Sequence, residues 1–361
     1  DLQSQEFDLV LQLCEKQHTI RHIPAVLVQQ SALVSAQIPI NRKAIGQHLC
    51  RSGCEDVKFD ETMPAPHFTW DPGNPPISVI IPTKNHQTLL ETLLKSLSAQ
   101  IYKNEIEIII VDNKSDNAST IAYYQRLKDV QHVSVIPYNA SFNYSEAINL
   151  GVSASSSELV LTLNDDMQII DPWCLAELAQ WAMRPEIGVV GAKLLRANRT
   201  IQHAGIILGL NGFAGHIYLN APENYNGLFG SVDWYRDYLA LTGACQMFRR
   251  EVFNAIGGYD EDYRLAFGDI DFCLRVHQQG YRNIYTPFAR LYHFEGLSRG
   301  HATPSDDIRR GYDQMASYLA TGDPYFSPNL TYARIPQCNL SENPEKERQQ
   351  SIAERRKFYQ K

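Results

Sequence analysis

The sequence predicts an α/β protein built on a parallel, doubly wound sheet. Apolar runs of strand length alternate with segments of helical periodicity from residue 77 to residue 163. The runs are nearly continuous, which suits strands covered on both faces. Polar residues follow several of them directly, and in such sheets ligands bind outside the carboxyl ends of the strands.

The elements follow in order. Residues 1–75 read irregularly, with helical patches at 7–14 and 41–50 and a short apolar run at 23–28. The stretch PAPHFTWDPGNPP (64–76) is dense in proline and glycine and reads as a linker or a wrapped loop. ISVIIP opens the first strand at Ile77, a helix is expected over 87–99, and IEIIIVD (106–112) makes the second strand. A helix over 118–127, a strand over 132–136, a helix over 144–154 and a strand ending at Leu163 continue the alternation. Beyond it the pattern loosens. Strands are expected near 187–195, 200–208 and 234–241, with a Gly/Asn-rich loop over 209–230. TGACQMF then leads to a helix at 250–256, and GDIDFCLRVHQQG reads as a helix with acids in its first turn that stops at Gly280. A helical segment over 305–320 precedes a polar, highly charged end from Pro336, expected to be a solvated helix or a loose tail.

Bulk properties exclude some functions. With 33 basic and 40 acidic residues the net charge is −7, which offers no general attraction to nucleic acid or to an anionic membrane. The 7 cysteines are scattered without a paired metal-ligand spacing, so zinc is not expected and a reducing, cytoplasmic compartment is. No apolar run approaches the roughly 20 residues of a membrane-spanning helix, and no signal peptide opens the chain. The first residue is Asp1, not methionine, so the chain reads as a trimmed or partial one, and peripheral contact at the inner face of the membrane through a further segment stays open. Neither GxGxxG after the first strand nor GxxxxGK[ST] is present, so neither a dinucleotide fold nor a P-loop is supported.

The stretch ELVLTLNDDM carries the strongest chemical signal. Asn164, Asp165 and Asp166 follow a buried strand, and two adjacent carboxylates there need a cation or water to remain ionised. Oxygen ligands favour a hard ion, Mg²⁺ or Mn²⁺. The plainer alternative is an acidic turn capping the next helix, although Asp171 before Pro172 already supplies that cap. Pro82, Thr83, Lys84 and Asn85 end the first strand, and Asp112, Asn113 and Lys114 end the second, so polar groups converge on one rim.

Six motifs in fixed order, ISVIIPTKN, IIIVDNKS, LTLNDDM, TGACQMFRREVFNAIGGYDE, GDIDFCLR and LYHFEGLSRG, resemble the inverting family 2 glycosyltransferases with the GT-A fold. The nearest likeness is to bacterial enzymes that build O-antigen, rhamnan and related surface polysaccharides. The resemblance covers about residues 76–302. It implies a Rossmann-like, mostly parallel sheet flanked by helices over 76–302, an N-terminal extension over 1–75, and a C-terminal helical segment and tail over 303–361. The N-terminal HIPAVL resembles the closing segment of a preceding glycosyltransferase domain in tandem members, so residues 1–75 are expected to be either a remnant of such a domain or the end of a larger parent, and a tandem domain or an assembly partner is a partner the resemblance implies.

The resemblance also assigns roles. Asn164, Asp165 and Asp166 stand at the DxD motif, with Asp166 on the divalent ion and Asp165 facing the ribose; Asn164 replaces the usual first acid. On an extended chain Asp165 points away from the other two. Asp112 and Asn113 match the position that holds the base, with Pro82, Thr83 and Asn85 beside it, and Asn149 matches a polar position preceded here by Ile148. Asp269 falls at the catalytic base, with Gly268 in place of the acid before it; the alternative is that Asp269 and Asp271 only offset the helix dipole. His293 matches the histidine that completes the metal site, and Ser298 and Arg299 would reach the diphosphate. His203, Trp234, Thr242, Gly243 and Ala244 fall on the acceptor side.

The expected activity is metal-dependent transfer, with Mn²⁺ or Mg²⁺, of a sugar from a nucleoside diphosphate, UDP or dTDP, to a glycan or lipid-linked acceptor with inversion. Two rivals are a sugar nucleotidyltransferase, which would carry a glycine-rich basic loop where PTKNHQT stands, and an inactive nucleotide-sugar-binding scaffold.

Overall fold

In the computed structural model, residues 2–16, 42–54, 56–60, 63, 65–227, 230–294, 303–333 and 340–359 are described. The chain begins with α1 (Leu2–Glu15) and α2 (Arg42–Arg51), joined by Arg51 to Asp8 and Glu15. A hairpin of β1 (Lys58–Asp60) and β2 (His67–Thr69) follows. HIPAVL lies outside the described residues. Residues from 65 onward wrap rather than hang free: Phe68 and Trp70 exchange hydrogen bonds with Gln180, and His67 pairs with Glu177.

The alternating half runs β3 (Ile77–Thr83), α3 (Gln87–Ser98), β4 (Ile106–Asp112), α4 (Ala118–Leu127), β5 (Val133–Pro137), α5 (Tyr144–Ser153) and β6 (Leu159–Leu163). Asn117 and Asn143 cap α4 and α5 by accepting from Ser119 N and Glu146 N. Strands β5, β4, β3 and β6 lie side by side, all parallel, as the alternation predicts. Every residue of β3 and β6 is buried, and each buried aliphatic side chain contributes about 1.5–3 kcal/mol.

The second half is mixed. It comprises β7 (Met167–Ile169), α6 (Cys174–Ala182), β8 (Ile187–Leu195), β9 (Ile201–His203), β10 (Ile206–Leu208), a 3₁₀ turn (Leu210–Gly212), β11 (Ala214–His216), β12 (Asn226–Gly227), β13 (Gly230–Ser231), β14 (Arg236–Tyr238), β15 (Cys245–Arg249), α7 (Arg250–Ala255), α8 (Gly268–Gln278) and β16 (Arg282–His293). The sheet order is β14-β16-β8-β15-β6-β3-β4-β5. TGACQMF supplies β15, which enters antiparallel between β6 and β8, so the sheet becomes mixed there, although β8 and β16 beyond it pair parallel again. The strand expected over 200–208 is two strands, because the chain turns at Gly205, whose φ is +116°.

The C-terminal segment is α9 (Ser305–Gln314), α10 (Ala316–Thr321) and α11 (Pro344–Tyr359). Its last helix is docked, not loose: Arg348 is buried, and a Cβ on Gly212 would stand 2.1 Å from Ser351 O. Two apolar layers cover the sheet, one with α3, α4 and α6, the other with α5, α7, α8 and the C-terminal segment. Among the described residues, no helix is long and apolar enough to cross a membrane.

Candidate active site

The carboxyl ends of β3 and β6 form one side of the rim. Asp165 is buried; its Oδ2 accepts from Thr83 Oγ1 at 2.6 Å and pairs with His86 Nδ1 at 2.8 Å. That hydrogen bond holds the His86 imidazolium above its ordinary pKa. A cavity of about 250 Å³ opens here, lined by Pro82, Thr83, His86, Asn113, Asn164 and Asp165 among others. His86 was not singled out from the sequence: it sits between the rim motif and the start of α3, and only the fold turns it back onto Asp165.

Other rim residues brace the loops. Asn113 Nδ2 donates to the carbonyls of Tyr138 and Ala140 while the residue also lines the cavity. Asn85, with φ +60°, donates to Asp116 and accepts from the amides of Asp116 and Asn117. The Asp112 carboxylate accepts from the Ser115 amide and hydroxyl and from Tyr124 OH at 3.0 Å, and lines neither this cavity nor the next. Asn149 is also turned elsewhere: its amide is bonded to Tyr259 N, Tyr259 O and Glu261 on the far side of α5.

Asp166 points the other way along the rim, as the alternation of an extended chain requires. The chain continues as β7, which pairs antiparallel with the end of β16 so that Met167 faces His293 and Phe294 N donates to Asp166 O at 2.9 Å. This register brings His293 Nε2 within 3.2 Å of Asp166 Oδ1, both side chains buried. His293 Nδ1 is buried without a hydrogen-bond partner among the described residues. No group of three or more metal-ligating side chains forms among the described residues. The pair nevertheless suits a divalent ion whose remaining ligands come from a bound phosphate, since it offers one carboxylate oxygen and one imidazole nitrogen side by side.

Asp269 stands in the first turn of α8. Its Oδ2 accepts from Gly243 N at 2.8 Å and its Oδ1 from Ile270 N at 2.9 Å, so it does serve the helix start. It also lines a cavity of about 230 Å³ that includes His293 and Asn164, together with Thr242, Gly243 and Ala244. Gly243 fits closely there, because a Cβ would lie 3.1 Å from Asp269 Cβ and 3.2 Å from Tyr144 OH and would press both aside. Its carbonyl accepts from Tyr144 OH and from Thr162 Oγ1. Gly268 has a related reason: a Cβ would stand 2.8 Å from Ser145 Oγ and 3.3 Å from Tyr263 Cβ, so an acid there would have to displace the Ser145 hydroxyl, which donates to Tyr263 O. The preceding Phe267 takes φ +67°, uncommon for a bulky residue, and lines the same cavity. The loop before it is tied down by Asp307 of α9, fully buried, which accepts from the amides of Arg264, Leu265 and Ala266 at 2.8–3.1 Å.

His203 is buried behind this wall, its Nδ1 2.8 Å from Nδ1 of His216, which faces the cavity. Burial, with a smaller contribution from His216, pushes its pKa well below the ordinary value and keeps it neutral. Gln202 lines the cavity with a buried Oε1 that has no hydrogen-bond partner among the described residues; the sequence reading passed over it. Trp234 does not line either cavity; it stands beside Gly230 with the Arg236 guanidinium 5.6 Å from its ring. Ser298 and Arg299 lie outside the described residues.

Comparison with known proteins agrees with this architecture. Residues 78–257 match the model of Glycosyl transferase family 2. The O-antigen biosynthesis protein RfbC of Myxococcus xanthus is 36% identical over 357 residues, 95% of this chain and 28% of that protein. The N-acetylglucosaminyl-diphospho-decaprenol L-rhamnosyltransferase of Mycobacterium tuberculosis is 25% identical over 64% of this chain and 80% of its own length. The chain thus spans between about a quarter and two fifths of the two relatives that it matches along nearly its whole length. Among solved structures, the mannosyltransferase PcManGT of Pyrobaculum calidifontis, in complex with GDP-Man and Mn²⁺, superposes with a TM-score of 0.51 at 19% identity, covering 72% of this chain and 69% of that one. The family match begins at the first rim strand and runs past the β15 strand that turns the parallel sheet into a mixed one; the chain belongs to Glycosyl transferase family 2, on the GT-A fold.

Proposed function

We propose that this chain transfers a sugar from a nucleoside diphosphate donor to a hydroxyl of a glycan or lipid-linked acceptor, with a divalent ion and with inversion, in surface polysaccharide synthesis. The observation that carries this reading is that Asp269 and His293 line one cavity, which shares Tyr144 and Asn164 with the cavity at Thr83 and Asp165. A donor in the second would present its anomeric carbon to the first. We assign Asp166 and His293 to the ion. When bound, it neutralises charge on the departing diphosphate. A mixed oxygen and nitrogen donor pair favours Mn²⁺ over Mg²⁺, which prefers oxygen alone. The Mn²⁺ in the mannosyltransferase complex supports that choice.

Asp165, held by Thr83 and His86, faces the ribose in this reading, and Asp269 is the base. Its carboxylate takes the proton of the acceptor hydroxyl as that oxygen bonds to the anomeric carbon and the bond to the diphosphate oxygen breaks on the opposite face. Inversion follows. The Gly243 amide holds Asp269 in place, so little reorientation is needed at the moment of reaction. The domain division at 76 and 303, a cytoplasmic location and a tandem or assembly partner belong to the same proposal.

The test is donor binding and turnover across UDP-, dTDP- and GDP-sugars with Mn²⁺ or Mg²⁺, for wild type, Asp166→Ala and Asp269→Ala. One donor should bind only with the ion. Asp166→Ala should abolish that binding, and Asp269→Ala should keep it while turnover falls by about 10²–10⁴. If no nucleotide sugar binds with either ion, the reading fails; donor binding without turnover across a broad acceptor panel would favour the scaffold.

A further inference from the structure

A third cavity, of about 660 Å³, is larger than either of those above. It is walled by the wrapped N-terminal segment, the entry to α6, β8 and the second half of β16. At its base is Lys193, 1% exposed, whose Nζ bonds to Asp233 at 2.7 Å and to no other group among the described residues. An ammonium carries three donors, and Lys193, which lines the cavity, has one acceptor for them among the described residues. At the rim stands Trp173, 54% exposed, a large ring with no core to fill. Aromatic rings in this position offer an apolar plate beside polar partners.

The location matters as much as the lining. Thr200 faces this cavity and Gln202 faces the one at Asp269, two residues along the same extended stretch and so roughly 7 Å apart. The two cavities therefore adjoin through this stretch. The charge is balanced: Arg290 pairs with Asp171 and Glu223, Arg199 with Glu223, and Lys193 with Asp233. With each cation already matched, an anionic ligand has no free positive charge to meet.

We infer that this cavity is a subsite for a neutral sugar unit of the acceptor glycan, one that does not react, with Lys193 donating to its hydroxyls and Trp173 covering its apolar face. The inference rests on the proposed transferase reading and deepens it: the enzyme would favour acceptors of two or more sugars over a single one.

The experiment titrates metal-free protein with mono-, di- and trisaccharides of rhamnose, galactose, glucose and N-acetylglucosamine. Wild type, Trp173→Ala and Lys193→Met are compared. At least one trisaccharide should bind wild type ten or more times tighter than its monosaccharide. Trp173→Ala, a change at an exposed side chain, should lose most of that gain, and Lys193→Met should do so as well where circular dichroism shows it folded. A length gain that survives in Trp173→Ala overturns the subsite, as does a wild type that binds none of the saccharides. Displacement of the trisaccharide by inorganic pyrophosphate, without metal, overturns it too, since the cavity would then be an anion site. Donor binding with Mn²⁺ is titrated separately. Its loss in wild type defeats the transferase reading, whereas intact donor binding without saccharide binding defeats only the subsite.

Discussion

Replacing Asp307 by alanine should damage acceptor use while sparing donor binding. Asp307 lies in the first turn of α9, beyond the stretch that matches the family model, yet it holds the 264–266 loop through three charge-assisted hydrogen bonds of 2.8–3.1 Å. A hydrogen bond to a charged group is worth about 1.5–3 kcal/mol net, and a stranded buried donor costs about 1–3 kcal/mol. Leu265 and Ala266 are only half-buried, so water would replace part of what is lost. The expected loss of stability is about 2–4 kcal/mol, measured by urea denaturation. Asp307→Asn keeps one acceptor oxygen, enough for the Leu265 and Ala266 amides, and should lose about half as much. Leu265 and Ala266 wall the cavity at Asp269 and are absent from the cavity at Asp165. Acceptor KM should therefore rise, or kcat fall, at unchanged donor affinity. A variant as stable as wild type with the same acceptor kinetics would refute the idea that α9 braces this loop.

Three further outcomes follow from named contacts. Gly151→Ala should lose about 1–3 kcal/mol or more in urea denaturation, because its Cβ would lie 2.3 Å from Ile80 Cγ2 and 3.1 Å from Val111 Cγ2; a neutral result would mean α5 packs less closely on β3 and β4. Gly268→Glu, which installs the acid that the resemblance expects, should lower the melting temperature and raise no activity, since Ser145 and Tyr263 occupy the space; a stable, faster variant would contradict this. The stabilisation due to His86 should depend on pH: its folded pKa is raised above the unfolded value of 6.5 by the bond to Asp165, so the contribution is full below pH 6.5 and is lost as pH rises through the folded pKa. The difference in melting temperature between wild type and His86→Ala should therefore be larger at pH 6 than at pH 9, and a difference that grows with pH would reverse the sign.

Much of the rim was legible because it is local. An apolar run that stops at a cluster of oxygens marks a strand end, and β3, β4 and β6 all end where the sequence reading put them, at Thr83, Asp112 and Leu163. Side-chain alternation likewise separated Asp165 from Asp166 before any fold was known. The union of Asp166 with His293 was not legible from spacing, because it depends on β7 pairing with the end of β16. His293 was reached through the resemblance alone. His86, Gln202 and Asp307 were missed for the same reason. Each has an ordinary local setting, and its partner or cavity is supplied by a distant segment. The charged C-terminus looked solvated by composition, yet Arg348 is buried and donates to Ala320 O, a contact no helical periodicity reveals.

The departures from the family pattern make sense together. Ile148 is fully buried against the sheet, while Asn149, at the position the resemblance marks as polar, turns to Tyr259 and Glu261 on the opposite side. The middle of α5 is thus committed to packing. Its first turn does the facing instead: Tyr144 lines both cavities and donates to the carbonyl of Gly243, whose amide holds Asp269. One ring therefore touches both cavities and the support of the candidate base. If that linkage matters, Tyr144→Phe, which keeps the ring and removes one hydrogen bond, should cost about 0.5–1.5 kcal/mol and leave donor binding intact while turnover falls. Equal turnover in the Phe variant would show that Thr162, the other donor to the same carbonyl, holds the Gly243 turn by itself.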